Sequence, residues 1–289
     1  MLINRLYGTP FNPKDHTMTC HKRRPLIGPL MPALIAALMA SAGPVASQPT
    51  LDPAASQRLD SLQQSPGSAG ALVYRGAVWA PKTPSAAPLF HYERRVGNSA
   101  AGRSSAHLTY DTEGRVIIAE QAEFSPDYAL RRLAVVNQQQ GFSGSVLVSV
   151  DGRQLDYQLL QNGQTSSASE TVSDPVVAGP TLHGFVLQHW DALAGGQTLA
   201  VRMIVLTEKT TYGFNIRALP AAEGRSSFLI SPNSLLVRWM VAPLTVSFDS
   251  ASRALLRYEG RVPPMQTVAG ALKPLDARVD YTMAVASYQ

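Results

Sequence analysis

Residues 142–160 leave the chain little choice of local structure. Phe142, Val146, Val148 and Val150 alternate with Ser143, Ser145 and Ser149, and beyond Asp151-Gly152 the alternation resumes in Leu155, Tyr157 and Leu159. Period-two alternation puts the apolar members on one face of a strand. Asp-Gly supplies the positive φ that a two-residue hairpin turn requires. That loop length pairs Val150 with Arg153, Val148 with Leu155 and Val146 with Tyr157, so apolar side chains meet across the pair. Turn chemistry and face agree on one register.

Two further hairpins follow by the same reasoning. Thr112-Glu113-Gly114, as a three-residue loop with Gly114 in the left-handed region, pairs Tyr110 with Val116 and Leu108 with Ile118. Ser250-Ala251-Ser252 pairs Val246 with Leu256 and Leu244 with Tyr258. In residues 235–248 the apolar set runs Leu235, Val237, Trp239, Val241 and then Leu244, Val246, Phe248. Its parity flips at Pro243, and a proline there predicts a bulge or bend in one long strand. Strands are also predicted at 73–80, 89–96, 130–136, 199–206, 211–218, 226–230 and 278–285, while 262–274 reads as a connecting loop.

Residues 180–195 follow the other period. Leu182, Phe185, Val186, His189, Trp190 and Leu193 fall at helical spacing, with Pro180 near the first helical position and Gly195-Gly196 past the end. The chain is therefore expected to be mainly β: a curved antiparallel sheet, or a half-open or closed β-barrel, with one amphipathic helix packed on it. No boundary divides 71–289, which reads as a single β-rich domain. Residues 48–70, rich in Pro, Ala, Ser, Gln and Gly, read as a flexible linker with a short helix within 53–64.

Residues 1–47 have the three parts of a secretory signal peptide. His21-Lys22-Arg23-Arg24 supplies the positive region, residues 26–39 the apolar region, and Ala40-Ser41-Ala42 or Val45-Ala46-Ser47 the cleavage site. The apolar run contains Pro29 and Pro32 and is shorter than the roughly 20 residues of a spanning helix, so no transmembrane anchor is expected after cleavage. The positive cluster lies far from Met1, which points to Met18 as the true start. Cys20, the only cysteine, precedes the apolar run and cannot become an acylated first residue. The exported domain is expected to lack disulfides and thiolate chemistry, and to reside in the periplasm.

The leader also accounts for the basic sequence pI of 9.4. Of 25 basic and 20 acidic residues, residues 1–47 hold five and one, which leaves 20 and 19. The remainder is nearly neutral, and its basic residues stand singly or in pairs such as Arg94-Arg95 and Arg131-Arg132. Nucleic acid is not an expected partner.

Motifs for chemistry are weak. His183 and His189 are six residues apart and fall on different helix faces, unlike the i, i+4 spacing of a helical metal pair, so no metal site is expected. Gly141-Phe142-Ser143-Gly144-Ser145 lacks the G-x-S-x-G spacing of a nucleophile elbow and lies in a predicted strand with Ser143 facing solvent. Glu93, Glu120, Glu123 and Glu259 could form a carboxylate pair, but Glu120 and Glu123 read as solvated residues near a strand end. Asp111, Asp151 and Asp249 are explained by turn propensity. No cofactor is implied. Among the aromatic residues Trp79, Tyr157, Tyr212, Phe214, Trp239 and Tyr258, core packing is the common fate, yet a bent sheet with a helix on its concave side can enclose a pocket.

The run from Phe185-Val186-Leu187-Gln188-His189-Trp190-Asp191-Ala192-Leu193-Ala194-Gly195-Gly196, the segment Ala242-Pro243-Leu244-Thr245-Val246-Ser247-Phe248-Asp249 and the segment Leu255-Leu256-Arg257-Tyr258-Glu259-Gly260 resemble a family of exported proteins of Gram-negative bacteria. The resemblance spans 73–285 and implies location and fold, since its motifs are helix and hairpin scaffolding. In architecture alone, the expected fold is similar to periplasmic lipoprotein carriers, whose half-open β-barrel holds acyl chains under a helical lid. The leading expectation is a non-enzymatic periplasmic protein that binds a lipid or other apolar or amphipathic ligand, or an envelope protein, through Phe185, Trp190, Tyr212 and Trp239. One alternative is a hydrolase built on His183 or His189 with a distant acid. The other is an assembly factor that pairs with partners along an exposed edge strand.

Overall fold

Alternation of period two governs almost all of the computed structural model, which describes residues 57, 60–62, 70–81, 87–100 and 102–284, apart from the side chains of Leu236, Trp239 and Met240. The expected leader and its expected cleavage site, Cys20 and most of the expected linker lie outside the described residues. Gln57 and residues 60–62 are helical, and the Ser61 hydroxyl donates to the Gln57 carbonyl at 2.8 Å.

Eight strands follow one another as an antiparallel meander: β1 (Ala71–Trp79), β2 (Phe90–Ser99), β3 (Gly102–Tyr110), β4 (Val116–Phe124), β5 (Leu130–Asn137), β6 (Phe142–Val148), β7 (Gln154–Gln161) and β8 (Gln164–Thr171). The short β9 (Val176–Val177) then leads into α1 (Gly179–Gln188) and α2 (Trp190–Ala194). A second meander is built from β10 (Leu199–Val205), β11 (Thr210–Ala218), β12 (Arg225–Pro232), β13 (Leu244–Asp249), β14 (Leu255–Val268) and β15 (Ala271–Met283), with α3 (Leu235–Met240) between β12 and β13. Because β15 pairs antiparallel with β1, the two meanders join into one sheet of 15 strands that runs from β8 through β1 and β15 to β9. The mainly β fold, an unclosed curved sheet with helices packed on it, is the one the sequence predicts.

Curvature brings the two ends of this sheet together. The carboxylate of Glu170 in β8 accepts from Arg202 Nη2 in β10 at 3.1 Å and from the Thr211 hydroxyl in β11 at 2.7 Å. It also accepts from the Tyr157 hydroxyl in β7 at 3.0 Å. Leu206, in the 3-10 turn after β10, packs into the apolar cluster formed by β4–β7. A larger cluster fills the space between the helices and β10–β14, where Val201, Ile216, Ile230 and Phe248 are inaccessible to solvent. Each such side chain contributes about 1.5–3 kcal/mol by burial. On the convex side, Leu62 packs with Leu108, Ala119 and Val136, so this patch of β3–β5 is buried on both faces.

The 142–160 hairpin has the predicted register, with Val146 opposite Tyr157 and Val148 opposite Leu155. Its turn is built differently. Only Gly152 takes a positive φ, of 74°, and Asp151 instead accepts from the Arg153 N–H at 3.1 Å and from the Ser149 hydroxyl. The Ser149 N–H bonds the Gln154 carbonyl, which leaves Val150 outside the ladder and exposed.

Other expectations are corrected. Tyr110 pairs with Val116 as predicted, but a bulge between Thr109 and Tyr110 places Leu108 opposite Ala119 and Thr109 opposite Ile118. At the third hairpin the Asp249 N–H bonds the Ala254 carbonyl and the ladder contains a bulge, so Val246 faces Tyr258 and not Leu256. Residues 235–240 form α3 and not a strand. Since Ile230 pairs with Leu244, too many residues intervene for a tight turn, and a short apolar run satisfies either period. The expected loop at 262–274 is the outer half of the β14–β15 hairpin. Its prolines sit at an irregularity between Val262 and Met265, where a missing N–H is tolerated, and Ala269 and Gly270 form its turn with both φ values positive. The expected helix breaks at His189, whose backbone leaves the helical region and whose Nδ1 lies 2.9 Å from the Phe185 carbonyl. Ser143, expected in solvent, is buried.

Candidate functional site

Antiparallel pairing places directly opposed side chains on the same face. Arg94 of β2 therefore shares the concave face with His107 of β3, and His107 shares it with Glu120 of β4. Tyr92 opposes Thr109, and Ser105 opposes Val96, one position to either side of this row on the same face. From β1 and β15, Tyr74 and Tyr281 complete the wall, their rings 4.8 Å apart. His183 and Pro180 of α1 form the lid, with the His183 ring 6.0 Å from Tyr74. The result is a polar island within an otherwise apolar interior.

Its bonds are specific. His107 Nδ1 and Glu120 Oε2 are hydrogen-bonded at 3.3 Å, which fixes the orientation of the imidazole ring. The Arg94 guanidinium donates through Nη1 to the Pro180 carbonyl. Thr181 caps the same turn, its hydroxyl accepting from the Ala178 N–H at 3.0 Å. The site of a Cβ on Gly179 would lie 3.7 Å from Glu120 Oε1, so this carboxylate stands at the positive end of α1. Burial holds the His183 imidazole well below its ordinary pKa, and the Arg94 charge adds to the effect, so His183 is neutral. Burial pushes the Tyr92 and Tyr281 hydroxyls well up, and both remain protonated donors. Tyr74 is raised by burial against the opposing pull of Arg94.

Arg94 is 0% exposed, yet its Nε and Nη2 have no hydrogen-bond partner among the described residues. The same holds for the hydroxyls of Tyr92, Ser105 and Thr109 beside it. Buried polar atoms are almost always paired, so a cluster of orphans calls for an occupant. No family model matches the chain, and no curated protein matches it. The site therefore has to be read from its own residues.

The residues singled out from sequence lie next to this island and not in it. Phe185 is buried and stacks on His189 at 4.2 Å. Trp190 packs edge-on against Phe228 and Phe248, at 5.1 and 5.5 Å, under the Arg253 guanidinium. Tyr212 is partly buried against the same cluster, its hydroxyl donating to Glu208. Trp239 is in α3, and its side chain lies outside the described residues. Tyr74 belongs to both groups and joins the aromatic cluster to the island.

The sequence assigns no site role to Arg94, His107 or Glu120. Glu120, expected in solvent, is turned inward, its side chain only 13% exposed, because the bulge at Thr109 sets its register. One signal was available: Arg94 falls in phase with Tyr92 and Val96, a charge on the apolar parity of its strand. Among the described residues neither histidine of the expected hydrolase is bonded to an acid: Glu120 is bonded to His107, and His183 faces Arg94 and Tyr74. Among the described residues no group of three or more His, Cys, Asp and Glu side chains is arranged to hold a metal ion, and no helix is long and apolar enough to cross a membrane.

Proposed function

We propose that the chain is an exported periplasmic protein that binds an amphipathic molecule inside its curved sheet, and that it performs no covalent chemistry on it. The observation that carries this reading is the polar island: five orphaned nitrogen and oxygen atoms, from Tyr92, Arg94, Ser105 and Thr109, bordered by the apolar clusters of the interior. Such a wall suits a ligand with one polar end and an apolar remainder. The nearly neutral charge beyond the leader agrees with a small-molecule ligand better than with nucleic acid.

The test is to purify the protein from its native envelope, denature it and analyse the organic extract by mass spectrometry. The expected result is one amphiphile at close to one equivalent; an empty extract, with the folded protein intact beforehand, contradicts the proposal. Export is read from the same sample, whose first residue should be Gly43 or Gln48.

A second reading is favoured by β8. Seven of its eight residues are polar, six are exposed, and among the described residues it pairs only with β7. Such an edge suits strand addition by an envelope partner. Ser167→Lys should abolish a complex of that kind and leave amphiphile binding untouched.

A further inference from the structure

The three guanidinium nitrogens of Arg94 are used unequally. Nη1 donates to the Pro180 carbonyl, whereas Nε and Nη2 are unengaged among the described residues. Those two nitrogens form one edge of the planar group, and their N–H bonds run parallel at a spacing that matches two oxygens of a carboxylate or phosphate. The wall around them is rich in donors. Tyr92 precedes Arg94 by two positions on the same face, Thr109 opposes Tyr92, and Ser105 lies on the other side of His107; all three hydroxyls lack partners.

Charge points the same way. No carboxylate lies within ion-pair distance of Arg94 among the described residues, although nothing of the side chain is exposed. Glu120, the carboxylate of this island, is held by His107 and stands at the first turn of α1. A water molecule could occupy one donor, but a single water oxygen does not match the parallel N–H pair of Nε and Nη2 as two linked oxygens do. An oxyanion matches the fork.

We propose that Arg94 binds the oxyanion head of the ligand, a carboxylate or a phosphate, side-on through Nε and Nη2, with the hydroxyls of Tyr92, Ser105 and Thr109 as further donors. This assignment rests on the amphiphile reading above and adds its head-group chemistry. Arg94 is then the residue that decides which amphiphiles are retained.

The experiment compares tetradecanoate, tetradecyl phosphate and tetradecanol as competitors of an uncharged fluorescent probe bound to the purified protein. The expected result is that at least one of the two anions binds about tenfold or more tightly than the alcohol. The arm that wins identifies the head as carboxylate or phosphate. In Arg94→Gln that ratio should fall to within about twofold of unity, and in Arg94→Lys, which keeps the charge but not the fork, it should lie between. Circular dichroism verifies folding. If both variants fail to fold, Tyr92→Phe and the wild-type ratio decide. An alcohol bound as tightly as both anions overturns the head-group assignment alone. A folded Arg94→Gln that keeps the preference does the same. Failure of all three to compete at any concentration overturns the amphiphile reading with it.

Discussion

His107 and Glu120 face each other directly across β3 and β4, with Nδ1 3.3 Å from Oε2, only because a bulge at Thr109 and Tyr110 shifts the ladder by one residue. Without the bulge His107 would oppose Ala119, and the acid would point to the convex side. The pair ties the inner face of the sheet to the first turn of α1. Glu120→Ala leaves a buried imidazole nitrogen without its partner and should cost about 1–3 kcal/mol in denaturant unfolding. Glu120→Gln, which keeps an acceptor, should cost less. Equal losses in the two variants would show that the bond contributes nothing beyond packing.

The neutral His183 gives the protein a pH dependence of known sign. Its folded pKa is held well below the ordinary value, chiefly by burial, so below about pH 6.5 the unfolded chain takes up a proton that the folded one refuses. Stability should fall as pH drops through and below that point, and His183→Gln should flatten the slope. At lower pH the turn aspartate Asp111 acts in the same direction. Burial tends to raise its pKa, but the Arg115 and Glu113 N–H groups and the Arg115 side chain outweigh it. The carboxyl is held below the ordinary range, so its contribution is present above about pH 4 and is lost as pH falls through the folded value. Urea midpoints measured from pH 7 to 3 for the wild type, His183→Gln and Asp111→Asn separate the two windows.

The Tyr128 ring lies flat against Gly184 of α1, where a Cβ would come within 2.2 Å of two ring carbons, and it stacks on Phe124 at 5.4 Å. Gly184→Ala should therefore destabilise by about 1–3 kcal/mol through overpacking. Tyr128→Leu in the same chain should recover part of that loss. A tolerated Gly184→Ala with an unchanged melting temperature would mean that α1 does not sit this close to the sheet.

Where the sheet ends meet, Glu170 collects hydrogen bonds from Arg202, Thr211 and Tyr157. Burial and the Glu170 carboxylate push the Tyr157 hydroxyl far up, so it remains a donor throughout the physiological range. Glu170→Ala leaves the Tyr157 and Thr211 hydroxyls without their acceptor, while Arg202 Nη2 keeps the Thr211 carbonyl, and should cost about 1–3 kcal/mol. It should also speed amide exchange in β8 and β10 relative to β1 and β15. Uniform acceleration across the sheet would indicate global destabilisation and no local parting of the ends.

The pattern that made the fold legible also concealed the site. Alternation in β6 and β7 revealed their pairing directly, because one face is apolar and the other carries serine and polar residues. In β3 the same logic paired Leu108 and Tyr110 with apolar partners on one face of a hairpin. That face is the convex one, packed under Leu62, while Ser105, His107 and Thr109 face the interior. With both faces covered, apolar parity cannot tell inside from outside. The residues 235–240 were misread for a related reason: six apolar-rich residues fit a strand and a helix equally, and only the length of the β12–β13 connection decides. Phe185 and Trp190 were legible as inward helix residues, but periodicity could not say that they pack against other aromatic side chains. Arg94 was the most informative residue, a charge in phase with Tyr92 and Val96.

A crystal structure of the protein isolated with its native contents tests the central claim most directly. The account expects two oxygens of a bound molecule at about 2.8 Å from Nε and Nη2 of Arg94, with the Tyr92 hydroxyl turned toward them. Water alone at these two nitrogens, or Glu120 swung over to pair with Arg94 in a filled interior, would contradict it.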